Sequence, residues 1–220
     1  MFPMAHPEFR DRSDAPQHLK MEALRLFAER GIDGVTVRQI AEAAGQKNHA
    51  AVGYHFGSKE ALIRAIIIDG AQAIDIRRNA WLDHCEAAGG PACVQEVVEG
   101  MIRTSLDPEA ALGSECYNRF FTLLGLSHRA LFDAVLGGRW NVGYQRCLDH
   151  LRRLMPDLPV VVKNQRFIFL GSTLGAVLAA RERELADQSR PHPMWQSDAI
   201  LSHAAQALAA MLEAPDPYHA

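Results

Sequence analysis

With 220 residues, 48% of them hydrophobic, the chain is long enough to bury a sizeable core and is not a disordered polymer. It suits one domain, or a small domain fused to a larger one. A formal net charge of −3 excludes a general polyanion binder, so any affinity for nucleic acid must come from a local patch. Residues 16–64 carry seven Lys and Arg against five Asp and Glu, an excess of +2, whereas residues 65–220 carry fourteen against eighteen, or −4. Cys85, Cys93, Cys116 and Cys147 form no CxxC pair and no Cys/His ligand cluster. No metal and no cofactor is therefore expected, and the thiols read as ordinary ones in a reducing cytosol.

Residues 1–15 mix proline, charge and histidine without periodicity and are expected to form a mobile arm. They contain no apolar run of the kind a secretory signal needs. Pro16 suits the first turn of a helix, where its missing N–H has no intrahelical partner. Leu19, Ala23, Leu26 and Phe27 then follow helical spacing, and Gly31 with Gly34 stops the segment.

Thr36-x-x-Gln39 is a capping box opening a second helix, with Val35 and Ile40 at hydrophobic-staple spacing. Gly45 closes that helix. Asn48 is an N-cap candidate for a third helix of about two turns, anchored by Val52 and Phe56. Ser58 caps a fourth, from Lys59 to about Gly70. Two short amphipathic segments around a glycine turn have the layout of a helix-turn-helix.

Downstream, helices are expected near residues 72–88, 92–106, 114–126, 129–155, 161–186 and 195–213, punctuated by glycine and proline, with Gly137-Gly138 able to split the fourth. No strand-like alternation occurs. The fold class expected is all-α: a three-helix helix-turn-helix domain over residues 16–64, then a larger helical bundle over 65–220 for ligand binding and dimerisation, with about nine to ten helices in total. The longest uncharged, largely apolar runs, 167–180 and 199–212, have fourteen residues each. A membrane span needs about 20, so these read as buried or interface helices of a cytoplasmic protein.

The stretches TVRQIAEAAG and AAVGYHFGSKEAL resemble the N-terminal DNA-binding domain of the tetracycline-repressor (TetR) family of bacterial regulators. The resemblance covers about fifty residues, from Gln17 to Ile68. It rests on the glycine-ended first helix, the Thr-capped second, the aromatic exit from the third and the Ser-Lys-Glu entry to the fourth. One departure is a turn lengthened by one residue at Gln46-Lys47-Asn48. The resemblance implies a homodimer that binds a palindromic operator in double-stranded DNA and is released by a small-molecule effector.

On physical grounds, Lys47, Asn48 and His49 can hydrogen-bond base edges, and Ala50 with Ala51 can pack against thymine methyls. Tyr54 and His55 sit at the exit, where phosphates pass. Thr36, Arg38 and Lys59 are candidate phosphate clamps at helix starts. Lys59 at a first helical position opposes the helix dipole unless an anion lies beside it.

In the second domain, Trp81, Met101, Tyr117, Phe120, Phe121, Phe132, Trp140 and Tyr144 are candidate lining of an apolar pocket, with Asn118, Arg119, His128 and Asn141 as candidate polar contacts. Phe167, Gly171, Leu174, Gly175, Leu178, Ile200, Ala204, Leu208 and Met211 are candidate dimer contacts, because small residues four apart permit close helix crossing. The alternatives are a helical interaction module without DNA binding and a small all-α enzyme. For the enzyme the chain offers no phosphate loop, HExxH, GxSxG or tandem ExxH, and no catalytic residue is expected.

Overall fold

The computed structural model describes residues 15–106, 116–137 and 139–218. Eleven helices and no strands are found among them: α1 (Ala15–Arg30), α2 (Val37–Ala43), α3 (Ala51–Phe56), α4 (Lys59–Ala87), α5 (Val94–Thr104), α6 (Tyr117–Ser127), α7 (Arg129–Leu136), α8 (Val142–Leu154), α9 (Val160–Ala186), α10 (Pro193–Gln196) and α11 (Asp198–Glu213). The arm expected over residues 1–15 lies outside the described residues except for Ala15. No helix is long and apolar enough among the described residues to cross a membrane.

Several boundaries differ from the expected ones. The helices anticipated as 59–70 and 72–88 are one helix, α4, of 29 residues and so about 43 Å long. The segment expected over 129–155 is split where the glycine pair allowed it, α7 ending at Leu136 with Gly137 as its C-cap and α8 beginning at Val142.

The apolar residues form two cores. The first joins Leu19, Ala23, Leu24 and Phe27 of α1, Ile40 of α2, Val52 of α3 and Leu62, Ile63, Ile66 and Ile67 of α4. It also takes in Tyr117, Phe120 and Leu124 of α6 and Val135 of α7. The second joins Leu82 of α4 to Val97, Val98, Met101 and Ile102 of α5, Cys147 and Leu151 of α8, Leu170, Leu174 and Leu178 of α9, and Leu201, Leu208 and Leu212 of α11. The helix-turn-helix therefore shares its core with α6 and α7, far along the chain. A division at residue 64 falls inside this first core, since Ile66 and Ile67 are both fully buried in it.

The two long helices also terminate the short ones. Asp75 of α4 accepts from the Gly143 N–H in the first turn of α8 at 2.7 Å. Glu182 of α9 accepts from the N–H groups of Asn118 and Arg119 at the start of α6, at 2.9 and 2.7 Å. Neither α6 nor α8 has a local side-chain cap.

At the opposite ends, Arg78 of α4 donates to the Met101 carbonyl, Thr104 Oγ1 and Ser105 Oγ at the end of α5. Arg166 of α9 donates to the carbonyls of Leu212 and Pro215 at the end of α11, at 2.6 and 2.8 Å. Acids thus meet helix N-termini and arginines meet C-termini, the polarity the helix dipole favours. This arrangement lets buried charges such as Arg78, Arg166 and Glu182 be satisfied without pairing to one another.

Candidate nucleic-acid interface

The geometry of α2 and α3 follows from their ends. The Thr36 hydroxyl accepts from the Gln39 N–H at 3.3 Å, and Gln39 Oε1 accepts from the Thr36 N–H at 2.8 Å, the reciprocal pair the spacing predicts. At the far end of α2 the Gln46 N–H reaches the Ala41 carbonyl and the Gly45 N–H reaches that of Glu42, a Schellman motif. Gly45 has a φ of 67°, a left-handed conformation that a Cβ would penalise.

The next helix begins later than expected. Asn48 does not cap a helix running from His49; its Oδ1 accepts from the Ala50 N–H at 2.9 Å. α3 opens at Ala51 with Ala50 at its N-cap and no side-chain cap bond. Asn48 holds a tight turn instead, the local side-chain to backbone bond that asparagine favours in turns. The lengthened Gln46-Lys47-Asn48 segment thereby stands between the Schellman motif and the helix.

α3 buries Ala51 and Val52, while Phe56 is partly buried against the first core. On its outer side Tyr54 is 83% exposed and meets the His55 ring edge-on at 4.8 Å. Lys47, Asn48, His49 and Ala50 are exposed, as are Thr36 and Arg38, and His55 is half-buried. Glu42, which the sequence reading passed over, draws two of these residues together. Arg38 Nε donates to Glu42 Oε1 at 2.8 Å, and His49 Nε2 lies 3.4 Å from the same oxygen. The Arg38 hydrogen bond holds the Glu42 carboxyl below its ordinary pKa. A helical i, i+4 relation to Arg38 was the signal in the sequence.

Lys59 departs from the expected phosphate clamp. Its Nζ donates to the Ile32 carbonyl at 2.6 Å and stands 5.7 Å from the centre of the Phe27 ring. The cation at the start of α4 therefore has its partner inside the protein, where it ties α4 to the end of α1. The electrostatic reason for a phosphate at that position is met by the carbonyl and the ring face.

The candidate pocket residues are divided between the two cores. Tyr117 and Phe120 are buried in the first, with Phe121 and Phe132 packed against it; Met101 is buried in the second, with Trp81 and Tyr144 at its edge. Trp140 is half-buried in the connection between α7 and α8. Asn118 donates to Glu182 and to the Ser105 carbonyl, and His128 faces Asp33 and Ser127. Arg119 and Asn141 are half-buried. A cleft of about 470 Å³, open to solvent, is lined by Trp81, Cys93, Glu96, Glu99, Arg103 and Thr104 among others, and of the candidate lining it contains Trp81.

Of the candidate dimer contacts, Phe167, Leu174, Leu178 and Leu208 are buried within the chain, while Ile200, Ala204 and Met211 are half-buried. Of the small-residue row, Gly175 faces the α6 crossing, while Gly171 is exposed. A Cβ on Gly175 would lie 3.0 Å from Thr122 Oγ1 of α6, and one on Gly171 would lie 3.5 Å from the Tyr144 hydroxyl of α8. The outward face of α9 carries Val161, Ile168 and Phe169, 59%, 67% and 54% exposed, together with Gly171.

Residues 22–66 match the family described as bacterial regulatory proteins, tetR family. The N-terminal unit belongs to the TetR family. The chain is also similar to HTH-type transcriptional repressors AcnR, being 31% identical over 145 residues to that of Corynebacterium glutamicum and 42% identical over 147 residues to that of Corynebacterium efficiens. Each alignment covers 64% of this chain and 65% of the relative, so the chain spans slightly less than two thirds of these relatives.

Among solved structures, it is similar in fold to the ketosteroid transcriptional regulator KstR2 of Mycobacterium tuberculosis. The TM-score is 0.58 at 18% identity, covering 93% of this chain and 95% of that one. The fatty acid degradation regulator FadR from Bacillus halodurans gives 0.52 at 14% identity, covering 94% and 99%. The TetR-type architecture thus extends beyond the segment that carries the sequence signature.

Proposed function

We propose that this chain is a sequence-specific DNA-binding transcriptional repressor that acts in the cytoplasm as a homodimer on a palindromic operator and is released by a small-molecule effector. The observation that carries the reading is the outer side of the helix-turn-helix. Arg38, Lys47, Asn48, His49 and Tyr54 are exposed on a scaffold whose apolar side chains are sunk in the first core. A tyrosine left 83% exposed beside them suits a phosphate or sugar contact better than it suits water.

In this reading Lys47, Asn48, His49 and Ala50 face base edges, while Thr36, Arg38, Tyr54 and His55 face the backbone. Lys59 supports the scaffold. The outward faces of α9 and α11, including Val161, Ile168 and Phe169, meet the second copy, with Gly171, Ile200, Ala204 and Met211 toward the rim. Two recognition helices related by a two-fold axis would read half-sites about 34–36 Å apart. The effector belongs to the second domain, and its chemical class does not follow from the residues described.

Selection of bound sequences from a random duplex pool tests the proposal. Recovery of a palindrome supports it, whereas recovery of no preferred sequence would favour a helical interaction module.

Glu42 yields a further prediction. A carboxylate on the DNA-facing side repels phosphates and holds the Arg38 guanidinium. Glu42→Gln is expected to tighten binding to random duplex about threefold to tenfold and to steepen the salt dependence by about one phosphate contact per protomer. A fluorescence-anisotropy titration at several salt concentrations reads both; weaker binding would mean that Glu42 itself contacts the operator.

A further inference from the structure

Two arginines of the second domain carry a polar atom that nothing satisfies. Nε of Arg119, in the first turn of α6, and Nε of Arg181, near the end of α9, are buried and have no hydrogen-bond partner. They are the two such side-chain atoms among the described residues. Native proteins pair nearly all buried donors, so each exception calls for a cause.

The two side chains flank one carboxylate, and that carboxylate is already occupied. Glu182 follows Arg181 on α9 and meets the first turn of α6. Its Oε2 accepts from the Arg119 N–H at 2.7 Å, and its Oε1 accepts from the Asn118 N–H and the Asn118 side-chain amide, both at 2.9 Å. Both oxygens thus cap α6 and leave the guanidinium groups unmet. Burial pushes the Glu182 carboxyl up, ahead of the lowering by these bonds and by the Arg119 charge.

The neighbours do not restore the balance. Asn118 also donates to the Ser105 carbonyl, and Arg78 donates to the Met101 carbonyl and to the Thr104 and Ser105 hydroxyls. Asp75 accepts from the Gly143 N–H. Glu99 and Asp198 hold Arg103, and Glu184 holds Arg183 and Arg190. Where α5, α6 and α9 meet, Arg78, Arg119 and Arg181 therefore stand against Asp75 and Glu182 among the described residues. Charge removed from water in this way is stable when an opposite charge with hydrogen-bonding atoms joins it.

We infer that Arg119 and Arg181 form an oxyanion site at the junction of α6 and α9, taking a carboxylate or phosphate group whose oxygens are the acceptors both Nε–H groups lack. The chemistry suits the residue type. Nε and a terminal nitrogen of a guanidinium donate in parallel, matching two oxygens of either group. Each arginine as a whole is half-buried, so a solute reaches the fork from solvent. The site lies wholly on α6 and α9 and is independent of the DNA-binding reading.

The test uses the full chain, without DNA, exchanged into chloride and titrated at constant ionic strength with inorganic phosphate or, separately, with acetate. Proton–nitrogen correlation spectra follow the Nε–H signals, with R119K and R181K assigning the two peaks. Both peaks are expected to move saturably. The thermal midpoint should rise by about 3–6 °C at tenfold excess over the half-saturating concentration. A stronger response to phosphate assigns the site to phosphate-bearing solutes, and a stronger response to acetate to carboxylates.

R181K keeps the charge and loses the fork, and is expected to bind at least about tenfold more weakly. R181M should lose the response and, in chloride, be at least as stable as wild type, since it leaves no donor unmet. Nε–H signals that ignore both anions would overturn the inference. So would wild-type affinity in R181K, or a midpoint shift that survives in both R119M and R181M.

Discussion

Replacing Arg38, Lys47 and Tyr54 together by alanine is expected to weaken DNA binding by at least about a hundredfold while leaving the thermal midpoint within a few degrees of wild type. All three side chains are exposed, and none belongs to the first core. Substitutions at such surface positions usually change stability by less than about 0.5 kcal/mol each. Binding to a polyanion responds differently, because each phosphate neutralised releases condensed counterions. Loss of two cations per protomer should lower the slope of log K against log salt by about 0.9 for each phosphate contact removed.

The three should not act alike. Arg38 and Tyr54, if they face the backbone, weaken binding to every duplex similarly. Lys47 stands in the base-reading segment, and its loss should also blur sequence preference. A salt titration of each single variant on operator and random duplex separates these roles. Unchanged affinity in the triple variant, with the fold intact, would remove the basis for placing DNA on this face.

Glu182→Ala is expected to cost about 3 kcal/mol and to loosen α6 first. Glu182 is 7% exposed, and its carboxylate accepts from the Asn118 and Arg119 N–H groups and from the Asn118 side chain. Truncation leaves these donors buried without an acceptor, at about 1–3 kcal/mol for each group that water cannot reach. Urea denaturation gives the loss, and exchange at the amides of residues 117–120 shows whether α6 opens before the rest.

Glu182→Gln keeps one acceptor and removes the charge, and so isolates the effect of pH. Burial raises the Glu182 pKa in the fold, ahead of the lowering contributed by its hydrogen bonds to Arg119 and Asn118. An acid with a raised folded pKa binds its proton more tightly when native, so the unfolded chain holds fewer protons and stability falls as pH rises. The fall begins at the ordinary carboxylate range and ends once pH has passed the raised folded value. Wild type should therefore lose stability relative to Glu182→Gln across that window and hold a constant difference above it. Parallel stability curves would mean that Glu182 titrates alike in the folded and the unfolded chain, and a wild type gaining stability over this range would mean that it stays ionised in the fold.

The elements most legible in the chain were those whose cause is local. Thr36 and Gln39 bond one another across three residues, Gly45 closes a Schellman motif within five, and Ser58 accepts from the Ala61 N–H. Such bonds depend on residue type and spacing, which a linear reading contains. The same locality made the TetR resemblance specific over residues 22–66 and kept the candidate DNA-facing residues together on α2, α3 and the turn between them. Asn48 shows where even local reading stops. Its oxygen could cap a helix or hold a turn, and the choice depended on where α3 docks by Val52.

What the tertiary structure alone decided was how groups distant along the chain satisfy one another. Lys59 looked available for phosphate because its partner, the Ile32 carbonyl, arrives from the end of α1. Gly175 looked suited to a second subunit because nothing local says that α6 crosses α9 there. Helical periodicity identifies an apolar stripe but not which of two stripes on α9 turns inward, and Phe167 with Leu174 prevailed over Val161 with Ile168. The caps that α4 and α9 lend to α5, α6, α8 and α11 are equally invisible in sequence, since their ends carry no local signal.

Gly70 is the sharpest case, because it read as a helix terminator and is the interior of a 29-residue helix. Glycine ends a helix when it takes a left-handed φ, and Gly70 does not. It is there to leave room for a ring that begins 47 residues later, at Tyr117. Sequence determined which helices form and what chemistry their surfaces carry, because those depend on neighbours in the chain. Packing determined which surfaces remain free to act.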